Sequence, residues 1–296
     1  MFCSADKWPA VHRGLTRDLP QPPQLALETP EVIESYVQRI GVGFETLRRE
    51  LEEARPDALI IVGDDQDEVF SRALIPPFAM FLGDELEGTT SISWVDEKPE
   101  DNRIRMRCAT NIARFACEEL IDRGFDLSYI EKLTPLARPE RGLGHAFTRI
   151  AKAMRLDESG IPVVALFLNG YHPPLPSASR CYAIGQALRD IFADRPERIA
   201  IYGSGGLSHW PLGPRAGWVD EPLDRWVLNK IERGESAALK NLFTFDSDTL
   251  RGGTGEIRGW ITAAGACDGV KGTVVDYIPS RMAITGLGFA YWKDDK

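Results

Sequence analysis

The 296-residue sequence has no C-x-x-C pair, and its five cysteines, Cys3, Cys108, Cys117, Cys181 and Cys267, are scattered and odd in number. That argues against a disulfide framework and a structural zinc site, and leaves the thiols as buried or idle groups. No apolar run approaches the roughly twenty residues that a membrane helix requires. The amino terminus, Met1-Phe2-Cys3-Ser4-Ala5-Asp6-Lys7, lacks a basic segment leading into an apolar one, so no secretion signal is readable. A cytoplasmic protein with no membrane partner is expected. Positive charge is short as well: 35 Lys and Arg against 44 Asp and Glu leave a formal charge of −9. No basic block offsets it locally, which argues against a nucleic acid partner. Only four histidines are present, so each can be weighed singly.

What is present reads as one α/β domain over residues 1–296, with 43% hydrophobic and 27% charged residues. Thr29-Pro30-Glu31 has the pattern of a helix start, with a capping hydroxyl, proline in the first turn and an acidic group against the dipole. Ile33, Val37, Ile40, Phe44, Leu47 and Leu51 then recur at helical spacing until Arg55-Pro56. Ala58-Leu59-Ile60-Ile61-Val62 is a short continuous apolar run, the pattern of a strand buried on both faces. The pattern repeats with a helix from Asn111 to Asp122, a run from Ile161 to Phe167, a helix from Ser179 to Phe192, and a run from Arg198 to Tyr202. Such alternation predicts a mostly parallel sheet with helices on both faces, whose ligands gather beyond the strands' carboxyl ends. Three polar clusters fall there: Asp64-Asp65-Gln66, Asn169-Gly170-Tyr171-His172, and Ser204-Gly205-Gly206-Leu207-Ser208-His209.

His209 follows a strand and a glycine-rich turn. Spacing alone leaves two uses for it, a cleft imidazole that takes and returns a proton near neutral pH, or a ring bonded to a nearby backbone group. Gly203-Ser204-Gly205-Gly206 lacks the lysine and the spacing of a phosphate loop. Glu256, in Gly252-Gly253-Thr254-Gly255-Glu256, precedes an apolar segment, and the dipole of a following helix is reason enough for a carboxylate there.

Taken together, these segments resemble the class III extradiol ring-cleavage dioxygenases, the superfamily of the catalytic chain of protocatechuate 4,5-dioxygenase. The similar stretches are Ile60 to Gln66, Leu74-Ile75-Pro76-Pro77-Phe78-Ala79, Gly142-Leu143-Gly144-His145, Tyr202 to His209 with Gly213-Pro214-Arg215-Ala216-Gly217, and Gly255-Glu256 through Gly265-Ala266. The run from Gly203 to Gly217 is the most specific. The resemblance implies a non-haem Fe(II) held by two histidines and one glutamate, with open positions for a catecholate and O2. It implies Glu256 as the carboxylate ligand, His209 as the catalytic acid/base, and His145 as a further catalytic histidine lining the pocket. It also implies a small aromatic substrate, protocatechuate- or gallate-like, and a homo-oligomer or a hetero-oligomer with a small partner subunit. Tyr171, His172 and, more loosely, Ser280 are the expected substrate contacts. Arg180, Arg215 and Arg258 are further candidates for pairing with a substrate carboxylate.

Two departures qualify the resemblance. Gln66 stands where the second histidine ligand belongs, so the metal candidates are Glu256 with Gln66 or the adjacent Asp65. The family's first ligand histidine lies on a strand upstream of a segment that here matches Lys7-Trp8-Pro9-Ala10, and no counterpart precedes it in this sequence. His12 lies beyond that segment and is not its replacement. Ring cleavage is the first expectation. The alternative is a non-catalytic homologue or partner subunit of such an enzyme.

Overall fold

The apolar runs around Ala58, Val163 and Ile199 lie side by side as parallel strands. The computed structural model describes residues 3–95 and 97–293. In chain order these form α1 (Trp8–Thr16), α2 (Pro30–Ala54), β1 (Ala58–Asp64), β2 (Phe78–Phe81), β3 (Glu85–Thr89), β4 (Arg103–Arg107), α3 (Thr110–Asp122), β5 (Ser128–Ile130) and α4 (His145–Ala153). There follow α5 (Leu156–Ser159), β6 (Val163–Leu168), α6 (Ala178–Phe192), β7 (Ile199–Gly203), α7 (Glu221–Glu232), α8 (Ile257–Ala266), β8 (Gly272–Ser280) and β9 (Thr285–Trp292).

The main sheet has the order β5-β2-β6-β1-β7. β1 runs parallel to both β6 and β7, and β2 departs from the expected pattern by pairing antiparallel with β6. β1 lies between β6 and β7 and is wholly buried, as its unbroken apolar run requires. Ile60 and Val62 face one core, with α3, α6, α7 and α8, while Leu59 and Ile61 face a second, with α4 and part of α2. Full burial of each such side chain is worth about 1.5–3 kcal/mol. A third core lies between α1, α2 and the β8–β9 hairpin, around the fully buried Trp8.

Thr29 caps α2 as expected, its hydroxyl accepting the Val32 N–H at 3.4 Å, and the helix stops at Arg55 in a left-handed conformation before Pro56. Among the described residues the first strand in chain order is β1, so no strand accompanies the Trp8 segment, which is helical. All five cysteines are free thiols. Among the described residues no helix is long and apolar enough to cross a membrane.

Candidate active site

Because β1, β6 and β7 are parallel, their carboxyl ends open on one side of the sheet, and the three polar loops meet there with the starts of α4 and α8. The loop after β7 is braced by Asp224 of α7, which is fully buried and accepts hydrogen bonds from the Ser208 N–H at 2.8 Å, the Ser208 hydroxyl at 2.9 Å and the Tyr277 hydroxyl at 2.7 Å. Burial pushes the Asp224 carboxyl up to about 6, against the pull of these donors. On the other side, the His209 N–H donates to the Thr254 hydroxyl at 3.0 Å, and the Thr254 N–H donates to the His209 carbonyl at 2.9 Å. The glycines beside Thr254 make room for the imidazole, since a Cβ on Gly253 would stand 2.2 Å from His209 Nε2.

His209 Nδ1 lies 2.8 Å from the Leu207 carbonyl, so Nδ1 carries a hydrogen. Nε2 lies 3.1 Å from Glu256 Oε1, and the two side chains are only 10% and 8% exposed. Burial alone disfavours an imidazolium. The charge and hydrogen bond of Glu256 outweigh it, and His209 rises to about 9. Glu256 moves the other way: burial favours its acid form, but His209, the field of His145 and the Gly206 N–H at 2.9 Å hold it below the usual range. At neutral pH the pair is therefore imidazolium and carboxylate. His209 starts with both nitrogens protonated and is poised to donate. It becomes an acceptor only when the charge of Glu256 is drawn elsewhere. Both uses left open by the sequence are combined, because one nitrogen bonds backbone and the other faces the carboxylate.

The loop after β1 divides its acidic groups among three tasks. Asp65 Oδ1 accepts the Val69 N–H at 2.7 Å, and Oδ2 accepts those of Phe70 at 3.1 Å and Glu68 at 3.3 Å. Its carboxylate thus folds the loop, holding three backbone N–H groups. Gln66 turns its amide N–H groups to Glu256 Oε1 at 2.7 Å and Asp64 Oδ2 at 3.1 Å. Asp64 is pushed up to about 8 by burial and by the charge of Glu256, so it holds a proton near neutrality. Glu68, which no sequence pattern singles out, accepts both the His145 N–H at 3.0 Å and a hydrogen bond from His145 Nδ1 at 2.9 Å. Burial opposes the Glu68 charge, yet His145 and Arg141 bring its carboxyl down to about 2, while His145 itself is raised.

Of the expected substrate contacts, Tyr171 is half-buried with its hydroxyl on the Pro211 carbonyl at 3.2 Å, and burial followed by the charges of Glu256 and Asp64 pushes it up to about 12. His172 is buried with its backbone held by Asn169, and its Nε2 stands 3.3 Å from Asp67 without hydrogen-bond geometry. Ser280 is fully buried, donating to Glu28 Oε2 at 3.0 Å and accepting the Ala283 N–H at 2.9 Å, so its hydroxyl is committed to a turn. Arg258 is likewise buried and bonded to the Pro176 carbonyl at 2.7 Å, and Arg215 pairs with Asp248. His12 is tied by Nδ1 to the Met282 carbonyl at 3.2 Å.

Among the described residues, those at the site supply only part of a non-haem iron centre. Among the described residues no three His, Cys, Asp or Glu side chains converge as a metal-holding group. Both oxygens of Glu256 already accept protein donors, and Gln66 directs N–H groups at its neighbours. One carboxylate and one amide are short of two histidines and a carboxylate.

The family model described as the catalytic LigB subunit of aromatic ring-opening dioxygenase matches residues 19–288. Curated relatives carry the name 2,3-dihydroxyphenylpropionate/2,3-dihydroxicinnamic acid 1,2-dioxygenase. One from Photorhabdus laumondii is 23% identical over 199 residues, 67% of this chain and 56% of its own length. Another, from Rhodococcus, is 24% identical over 216 residues, 73% of this chain and 62% of its own length. The match thus spans little more than half of these relatives. A crystal structure of an uncharacterized protein from Escherichia coli K12 superposes with a TM-score of 0.52 at 18% identity, covering 82% of this chain and 89% of that one, a likeness of fold.

Proposed function

This chain belongs to the family of the catalytic LigB subunit of aromatic ring-opening dioxygenase, and on that premise we propose that its cleft takes a catechol-type aromatic diol for extradiol opening of the ring with O2. The observation that carries the reading is the buried His209–Glu256 pair, with Nε2 at 3.1 Å from the carboxylate and Nδ1 anchored on Leu207. A vicinal diol holds two acidic O–H groups side by side on adjacent ring carbons. It needs a carboxylate or amide acceptor for them and a group that holds a proton where charge changes. Glu256 Oε2, which accepts the Gly206 N–H and keeps a further lone pair, and His209 offer both within one cluster, and a dry cluster strengthens each interaction. His145, oriented by Glu68, is the second proton-holding group. Tyr171 supplies an aromatic wall, and His172 lies beyond it. Protocatechuate, gallate and 2,3-dihydroxyphenylpropionate are the substrate class, each a diol or triol bearing a carboxylate.

A second reading has a specific observation behind it. Because the described residues do not complete an iron site, a diol-binding homologue that leaves ring opening to a complete partner accounts equally for a Glu256 carboxylate bonded to Gln66, Gly206 and His209. Anaerobic protein is to be incubated with Fe(II), then given O2 and each of the three diols. Oxygen uptake with a yellow ring-opened product supports turnover by this chain. Calorimetric binding of the diols with neither iron retention nor oxygen uptake supports the second reading. Absence of both binding and uptake overturns the two together.

A further inference from the structure

β7 is the last strand of the sheet and pairs with β1 alone. Bonds at its two ends fix which way its backbone points: Asp57 N–H donates to the Arg198 carbonyl and Ser204 N–H to the Val62 carbonyl, each at 2.8 Å. The even-numbered residues therefore turn to β1. By the alternation of a strand, Ile199, Ile201 and Gly203 turn their N–H and C=O groups away from it. All five residues are half-buried, so these groups do not stand in open water. They face a groove of about 720 Å³. Leu47 and Leu51 of α2 form one wall, Ala263 and Ala266 of α8 the other, and β9 from Gly288 onward runs across the far side.

A β-strand takes about 4.8 Å in the hydrogen-bonding direction and about 10 Å between packed layers, and rises about 3.3 Å per residue, so five residues fill roughly 800 Å³. That is close to the groove's volume. We propose that the groove beside β7 is a docking site for an extended apolar strand of about five residues from a partner polypeptide, which adds a sixth strand to the sheet. The chemistry of the edge selects a peptide over a lipid tail or a small aromatic ligand. Only a second backbone offers acceptors and donors in the strand repeat that Ile199, Ile201 and Gly203 present. The charged groups at the rim, Glu50, Glu53 and Glu197 against Arg189, Arg198 and Lys293, cancel in number, which matches an uncharged occupant. Such a strand is covered on both faces and reads as a continuous apolar run, with its larger side chains toward the small residues of α8. A second copy of this chain is the poorer occupant, because β7 is flanked by α2 and α8 and its edge does not project to meet another.

The test is residue-resolved hydrogen exchange on the full chain, with the peptide acetyl-Thr-Val-Ile-Val-Ile-Thr-amide and a control N-methylated at alternate residues. In the chain alone the amides of Ile199, Ile201 and Gly203 are expected to exchange faster than those of Ala200 and Tyr202. Roughly millimolar peptide is expected to slow them about tenfold or more, while the control does not. Ile201→Pro removes an outward N–H without touching the β1 pairing and is expected to abolish the protection. Ala263→Phe fills the groove from the opposite wall and is expected to do the same should the proline variant fail to fold. Protection of the outward amides equal to that of Ala200 and Tyr202 in the monomeric chain alone, or no protection by the peptide, overturns the proposal. Concentration-dependent protection without peptide, together with a dimer mass by light scattering, assigns the groove to a second copy and also overturns it.

Discussion

Replacing Asp65 by alanine takes the acceptor from three backbone N–H groups, those of Glu68, Val69 and Phe70, in a loop where Asp65 itself is 7% exposed. Buried donors left without a partner cost about 1–2 kcal/mol each, so roughly 3–6 kcal/mol for three. An opposing effect reduces this. Burial raises the Asp65 carboxyl from 3.8 to about 6, so at pH 7.5 its charge is disfavoured by about 3 kcal/mol, at about 1.4 kcal/mol per pH unit. Alanine escapes that penalty, and the net loss at pH 7.5 is about 0–3 kcal/mol. The direction with pH follows from the raised value: the Asp65 contribution is full below about 3.8 and is lost as pH rises through about 6. Asp65→Ala is therefore expected to cost more at pH 5 than at pH 7.5. Urea unfolding followed by tryptophan fluorescence at both pH values measures it. A loss below about 0.5 kcal/mol at both, or a larger loss at pH 7.5, refutes the assignment of Asp65 to loop capping.

Glu256→Gln removes the charge that holds His209 at about 9. Only the Leu207 carbonyl and the field of Asp64 then oppose burial, and an NMR titration is expected to find the ring titrating well below 9, whereas a ring still titrating near 9 contradicts the pairing. Glu68 contributes stability that is present above 4.5 and lost as pH falls toward about 2, worth about 3 kcal/mol for some two and a half pH units. Glu68→Gln is expected to flatten the acid limb of the stability profile, which denaturant titrations between pH 5 and 2.5 will follow. Gly253→Ala sets a methyl group 2.2 Å from His209 Nε2, so diol affinity is expected to fall about tenfold or more while circular dichroism stays unchanged. Unaltered diol binding in that variant places the ligand elsewhere.

The strands that build the site were readable because central parallel strands must be apolar on both faces, and Ala58–Asp64 and Val163–Leu168 are. The β8–β9 hairpin carries no such signal: most of β8 is only half-buried, and its connection has no two-residue turn sequence. β2 escaped for a related reason, since four apolar residues do not show which way a strand runs. In the site, His209 and Glu256 were legible because glycine runs precede each and the resemblance reaches both. Glu68 and Asp224 were not, because a carboxylate's role is set by what folding brings to it, here partners 77 and 16 positions away. The capping work of Asp65 was not legible either, because its place beside Gln66 does not show that the N–H groups of Glu68, Val69 and Phe70 turn back to it.

The central claim is that the His209–Glu256 pair is where an aromatic diol binds. Anaerobic calorimetric titration of protocatechuate and of 3-hydroxybenzoate into the wild type and His209→Asn tests it most directly. The account predicts that protocatechuate binds the wild type about tenfold or more tighter than the mono-ol, and that His209→Asn erases the difference. Equal affinity for the two ligands, or a preference that survives the loss of His209, contradicts it.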